Sequence, residues 1–388
     1  MRWGAGSISG DMTRAAVLAL LARQGPLSRA EVAERLELSP ATVTSIIRKL
    51  LAEGLVTEGG PRVPQSGRPS IPVALVPHAA HAIGVQVAHE HVTLVLTRLD
   101  ATTVHGQAHK FDPAVPSALG ELTDLVRAEV GYAAEQGLPL LGVGVAVPGV
   151  VDPETGTLRM SVRLGWTGMP LATRLRAALG LPVFVDNDIS AVTAAERLYG
   201  PGADCSDFLL VAIGQGIGLG LVLDGAPYRG AAGAAGELGH VPVLSDGPVC
   251  SCGNRGCLET QVSTEALLRR ARELGVVPPQ GELADLGAAA DRGDGAALTL
   301  LGQAGDLLGQ VLAGSINVLG PQSLLVIGEI TPLWPHLAAD FHRSLRAHLI
   351  PGAREVRVDV RAWDERLIAR GAAGIVLAAP LAAPRQRG

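Results

Sequence analysis

Three of the four cysteines in this chain fall within eight residues, as Cys250, Cys252 and Cys257, shortly after a histidine, His240. No other stretch restricts the local fold as much, because three thiolates and one imidazole make a complete tetrahedral set for zinc. Cys250 and Cys252 stand two apart, so on extended backbone both sulfurs project to one side. Gly253 and Gly256 let the chain turn back so that Cys257 closes the site. The alternative is a set of buried thiols beside an unrelated loop histidine, since free cysteine is often simply a core residue. Glu237 and Glu259 flank the cluster, and a purely structural metal has no need of them.

The same cysteines bear on compartment. Four in 388 residues, three of them clustered, do not form a disulfide framework and fit a reducing cytoplasm. No apolar run of membrane-spanning length is free of charge or glycine, and the start of the chain lacks the layout of a signal peptide. A soluble, cytoplasmic protein with no membrane partner is expected, of two or three domains, with a large core consistent with 47% hydrophobic residues.

Charge is uneven along the chain. Residues 1–70 carry nine Lys/Arg against six Asp/Glu, although the whole chain has a net charge of −5, which makes the N-terminal end the candidate partner of nucleic acid. Residues 1–11 show no periodicity, and an apolar stripe of Val17, Leu18, Leu20 and Leu21 predicts a helix from Thr13 to about Gly25. Ser28 to Glu31 is a capping box that starts a second helix, with Val32, Ala33 and Leu36 inward. Ser39-Pro40 starts a third, with Ile46, Ile47, Leu50 and Leu51 on its buried side. The pattern is a helix-turn-helix whose third helix offers small polar residues, Thr42, Thr44 and Ser45, and then Arg48 and Lys49 to a major groove. Two strands at 55–57 and 71–76 around a Gly/Pro-rich tip form a wing, where Arg62 and Arg68 reach phosphate or minor groove. A protein-binding helical bundle is the alternative.

The expected domains are therefore a winged helix-turn-helix over 12–76, a linker at 77–81 and an α/β body over 82–380 in two lobes, about 82–190 and 191–380. Alternating apolar residues after Ala82 predict antiparallel strands, followed by a helix from Ser117 to Glu135 and a buried strand from Leu140 to Val147. Another buried strand, 181–185, ends at Asp186-Asn187-Asp188 ahead of a helix from Ser190 to Tyr199. That is the strand-to-helix junction where α/β proteins place ligand chemistry, although Asp and Asn also serve there simply as helix caps. A hairpin of 208–213 and 218–223 encloses the turn Gly214-Gln215-Gly216. Neither a GxxxxGK[ST] loop nor a strand-GxGxxG-helix pattern is present.

Taken in order, Val145-Ala-Val-Pro148-Gly149, Leu164-Gly165-Trp166, Asp186-Asn187-Asp188, Gly214-Gln-Gly216-Ile-Gly218, Gly236-Glu237-Leu-Gly-His240 and the Cys250-to-Glu259 run resemble the ROK family of repressors and sugar kinases over about residues 80–380. With the helix-turn-helix in front, the chain resembles the family's regulators of the xylose and N-acetylglucosamine repressor type. The resemblance implies an α/β, two-lobed, actin-like (RNase H-like) sugar-kinase-type fold with a zinc-binding loop and sugar in the cleft. It implies Asn187, Asp188, Glu237, His240 and Glu259 as sugar ligands, and His240, Cys250, Cys252 and Cys257 as ligands of a structural zinc. It further implies operator DNA as partner and assembly as a homodimer or homotetramer. Asp188 is the general base if the chain is a kinase. Against that, Gln86 stands where family kinases open a phosphate and metal motif, Gln215 replaces a threonine, and Glu329 follows a single glycine, Gly328, so no catalytic residue and no enzyme activity are expected.

Overall fold

Ser28 opens its helix as a capping box. Its hydroxyl accepts the Glu31 N–H at 3.2 Å, while the Glu31 carboxylate accepts the Ser28 N–H at 2.7 Å. Ser39 caps the third helix through the Thr42 N–H at 3.1 Å, with Pro40 at the first helical position, where no N–H is needed. The computed structural model describes residues 8–60, 70–362 and 364–378, and its contacts divide the chain into two units, one up to Ala203 plus the segment from Arg366 onward, the other Asp204–Glu365.

The N-terminal head has helices Ile8–Gln24, Arg29–Arg35 and Pro40–Ala52 and a small antiparallel sheet in which Pro72–Leu75 lies between Leu27–Ser28 and Val56–Glu58. This is the expected winged helix-turn-helix. The tip carrying Arg62 and Arg68 lies outside the described residues. Two details differ from the sequence expectation. The inward residues of the third helix are Val43, Ile47 and Leu50, while Ile46 and Leu51 are half-buried; the 43/47/50 spacing is the true one-face repeat of an α-helix. The first helix also buries more than one stripe: Val17, Leu18, Leu20 and Leu21 join the core of the head, whereas Ala15 and Ala19 pack on Leu198 and Tyr199 of the α/β body.

The segment read as a linker, 77–81, is tied to that body. The Pro77 carbonyl accepts the Leu99 N–H at 3.1 Å, Ala80 is buried, and His81 opens the first strand of the main sheet.

That sheet runs Val183–Asn187, Leu140–Val147, His81–Val87, His91–Arg98, Thr103–Lys110 in spatial order, the first three parallel and the last two antiparallel additions. One face packs on helix Ala118–Glu135 through Ile83, Val85, Val143, Val145 and Leu122. The other face has glycine where a helix crosses: a Cβ on Gly84 or Gly144 would lie 1.9 Å from the Ala369 carbonyl oxygen or 1.8 Å from that of Ala372. Helix Leu367–Ala378 thus rests backbone against sheet. Sequence order groups this last helix with the second half of the chain; its packing joins it to the first unit. A three-stranded antiparallel sheet, Val150–Asp152, Thr157–Ser161, Trp166–Met169, completes the unit.

The second unit repeats the topology. Ala226–Pro227, Ile217–Leu223, Phe208–Ile213, Ser323–Ile327 and Arg357–Val360 stand in the same relative order, an antiparallel meander joined to two parallel strands. Helix Gly295–Leu319 is long and apolar enough to cross a membrane by composition, yet it lies in the core of this unit against helix Trp334–His348. Gly305 and Gly309 bring the two together, since a Cβ on either would meet a carbonyl oxygen of that helix at 2.5 Å.

Candidate functional site

On the head, Thr42, Thr44, Ser45, Arg48 and Lys49 are all exposed on the helix face opposite Val43, Ile47 and Leu50. The Thr44 hydroxyl donates to the Pro40 carbonyl at 2.8 Å, which keeps that side chain close to the helix. The head is braced by ion pairs from Arg29 to Glu58, at 2.5 Å, and from Arg14 to Glu53. They leave Arg48 and Lys49 as the exposed cations of the third helix.

In the first unit, Asn187 ends a buried parallel strand and caps helix Asp188–Tyr199. Its Oδ1 accepts the N–H groups of Ile189 at 2.9 Å and Ser190 at 3.1 Å, and its Nδ2 donates to the Gly149 carbonyl at 3.1 Å. The capping role is therefore real, and it fixes the amide. Asp188 lies in the first turn, where the helix dipole favours a carboxylate, and its Oδ1 accepts the Ile189 N–H at 2.9 Å. Both residues are half-buried. Gln86, near the end of strand His81–Val87, which strand Leu140–Val147 separates from Val183–Asn187, is 8% exposed, and its side-chain oxygen is buried without a hydrogen-bond partner among the described residues.

In the second unit, His240, Cys250, Cys252 and Cys257 converge, with one ligand atom from each lying within 4.8 Å of the others. The Cys252 and Cys257 sulfurs are 3.7 Å apart, and the Cys250 sulfur is 3.4 Å from His240 Nδ1. A tetrahedron with metal–sulfur bonds of about 2.3 Å has sulfur–sulfur edges of about 3.8 Å, so the donor set suits zinc in its chemistry and the Cys252–Cys257 pair in its spacing. The turn that achieves this depends on Gly256, at φ 64° and so close to the Leu244 carbonyl that any Cβ would overlap it. Burial, then the neighbouring thiols, push the Cys257 thiol up to about 12. The Asn254 N–H, foremost, lowers Cys252.

Because Nδ1 faces the sulfurs, Nε2 is the ring nitrogen left on the other side, 3.8 Å from the Glu237 carboxylate. Glu259, at the start of helix Glu259–Val262, accepts the Ile217 N–H at 3.1 Å and so ties the metal loop to the glycine-rich hairpin. Glu237, His240 and Glu259 thus belong to one assembly around the loop. Sequence reasoning missed one partner in this unit: the Thr264 hydroxyl donates to Glu329 at 3.2 Å, and the Thr264 N–H to the Gly214 carbonyl at 2.8 Å. The Glu329 carboxylate is thereby held against Gly214, 3.3 Å from where a Cβ would stand. Nothing in the local sequence pairs residues so far apart. Cys205 is buried, as expected, with the Arg357 guanidinium 3.0 Å from its sulfur.

Comparison with known proteins agrees with this geometry. The ROK family profile matches residues 82–379 and the MarR family profile residues 11–58. The sequence is 30% identical over 329 residues to the DNA-binding transcriptional dual regulator NagC of Escherichia coli K12, spanning 83% of this chain and 81% of that protein. It is 28% identical over 314 residues to the xylose repressor of Bacillus subtilis 168, spanning 81% of each. Among solved structures, a ROK family transcriptional regulator described as a homologue of the Escherichia coli MLC protein superposes with a TM-score of 0.81 at 27% identity, over 96% of this chain and 97% of the other. A ROK family glucokinase from Streptomyces griseus, solved with glucose and AMPPNP, superposes with a TM-score of 0.64 at 26% identity, over 78% of this chain and 99% of its own.

Proposed function

The chain belongs to the ROK family, and we propose that within it the protein is a transcriptional regulator, a repressor of carbohydrate genes whose operator affinity changes when a sugar binds. One observation carries this reading: the likeness to the regulator runs through the head as well as the body, whereas the glucokinase is matched over nearly its whole length and leaves about a fifth of this chain unmatched. Residues 12–76 bind operator DNA, and residues 82–380 bind the effector. Thr42, Thr44 and Ser45 face base edges in the major groove, and Arg48, Lys49, Arg62 and Arg68 contact phosphate. The protein acts in the cytoplasm as a homodimer or homotetramer, so that two heads engage two half-sites.

Asn187, Asp188, Glu237, His240 and Glu259 are the residues we assign to sugar hydroxyls. A capped amide, a helix-start carboxylate and an imidazole held by its other nitrogen suit such a ligand, because each is oriented before the sugar arrives. Zinc, held by His240, Cys250, Cys252 and Cys257, is structural: four protein donors leave no position for an activated water.

The DNA assignment is tested by fluorescence anisotropy on a duplex enriched from a random library. With four cations per head and two heads, affinity is expected to fall by about four orders of magnitude between 50 and 200 mM salt. An affinity that barely changes over that range rules the assignment out.

The second reading, a sugar kinase with Asp188 as general base, is disfavoured by the Glu329 carboxylate beside Gly214, because a fixed negative charge there opposes nucleotide phosphate. Gln86 lacks the charge that would help to hold magnesium. A coupled ADP-release assay with Mg-ATP and a panel of hexoses is expected to give no turnover above the no-sugar blank. Turnover abolished by Asp188→Asn would establish the kinase instead.

A further inference from the structure

The head is not joined to the body by chain alone. Helix Ile8–Gln24 is buried on two sides: Val17, Leu20 and Leu21 are part of the same core as Val43, Ile47 and Leu50, while Ala15 and Ala19 lie against Leu198 and Tyr199. Leu198 and Tyr199 are the last two residues of helix Asp188–Tyr199, whose first turn carries Asp188 and whose cap is Asn187. Twelve residues make a rod of about 18 Å, so one rigid element has a polar, capped end and an end that touches the DNA-binding head.

The rod is also fastened along its side. A Cβ on Gly371 would lie 2.9 Å from backbone atoms of Ala191 and Val192, and one on Gly374 would lie 3.5 Å from the Ala195 Cβ, so helices Asp188–Tyr199 and Leu367–Ala378 pack backbone to backbone. Close-packed helices of this kind shift as a block rather than deform. At the far end the Tyr199 hydroxyl donates to the Leu99 carbonyl at 3.3 Å, and Ala373, Val376 and Leu377 of the C-terminal helix share the hydrophobic core of the head. Leu198 is buried against the small side chains of Ala15 and Ala19, with Tyr199 packed beside it.

We infer that helix Asp188–Tyr199 is the lever that carries effector occupancy to the DNA-binding head, and that Leu198, seated on Ala15 and Ala19, is the positioning residue at its output end. A ligand that binds Asn187 and Asp188 more tightly in one position of this helix than in another biases the position of Leu198, and the head follows because the first helix belongs to both cores. The inference rests on the reading above, in which Asn187 and Asp188 receive a sugar and the head binds DNA.

The test uses the full-length, zinc-loaded protein, the enriched duplex, and whichever of xylose, glucose, N-acetylglucosamine or their phosphates gives the largest thermal shift. The quantity read is the ratio of DNA affinities without and with that sugar. For Leu198→Ala the ratio is expected to collapse about ten-fold towards one, the scale of a typical coupling between sites, while the dissociation constant for sugar stays within about two-fold. Leu198→Met, which keeps the volume, is expected to retain the wild-type ratio. A second measurement needs no variant: hydrogen exchange on wild-type protein is expected to show sugar-dependent protection changes at amides within Ile8–Gln24. If Leu198→Ala keeps the full ratio, or exchange in that helix is blind to sugar, the lever is wrong. If wild type itself shows no effect of any sugar on DNA affinity, it is the regulator reading that fails.

Discussion

Replacing Cys252 with serine is expected to yield protein with well under one zinc per chain by atomic emission, and with weakened sugar binding by calorimetry. Cys252 is the exposed member of the four, so the substitution removes a donor with little loss of packing, and its consequences report on the metal rather than on the core. Three remaining donors leave zinc with an open position and a large loss of affinity, far beyond the 10- to 100-fold of a lost supporting partner. The loop around the site is held by turn-type backbone hydrogen bonds, such as Val243 N–H to the Gly256 carbonyl and Gly256 N–H to the Pro248 carbonyl, both at 2.8 Å, rather than by a run of paired strand. Its bridges, Pro242 with Cys257 and Val249 with Arg255, are single pairings, and Val249 is 62% exposed. Without metal the local order from Val241 to Cys257 is expected to fall, seen as faster hydrogen exchange there, and the imidazole loses the bond that orients its Nε2. Full zinc occupancy in the variant would contradict the ligand set.

Gly144→Val is expected to destabilise the first unit by about 3 kcal/mol or more, read from the shift in urea midpoint at constant slope. The new side chain starts 1.8 Å from the Ala372 carbonyl oxygen. That atom is backbone in a helix whose Ala369 lies as close to Gly84, so the helix cannot yield at one position without losing the other. The comparison is Gly120→Ala on helix Ala118–Glu135, where a Cβ meets nothing within 4 Å. There the helix gains about 1 kcal/mol from the better helix former. The first variant should also loosen Ala373, Val376 and Leu377 from the core of the head, and so weaken DNA binding in a protein whose recognition helix is untouched. Unchanged stability of Gly144→Val would mean that the C-terminal helix does not sit on this sheet.

What could be read from sequence was what neighbouring residues decide among themselves. The capping box at Ser28 and Glu31, the Ser39-Pro40 start, the strand ending at Asn187 and the zinc-type spacing from Cys250 to Cys257 are each set by contacts a few residues apart. Side-chain period and cap chemistry report such contacts directly. The buried side of the third helix was partly misread, because Ile46 and Leu51 are as apolar as Ile47 and Leu50 and only packing chooses among them.

The cluster of His240 with its three cysteines is thus both the plainest signal in the sequence and a feature to which the sequence alone assigns no direction. Four donors at the right spacing suffice to announce a metal. Which ring nitrogen of His240 faces the sulfurs, and that Glu259 reaches across to the Ile217 N–H, are decided by the fold, because both depend on where a distant hairpin comes to lie. The same holds for the carboxylate of Glu329 beside Gly214, for the return of helix Leu367–Ala378 to the first sheet, and for the seat of Leu198 on the first helix. Local propensity carries no information about such pairs: they are joined by the packing of whole elements, and the free energy that joins them is spread over surfaces rather than written at any one position.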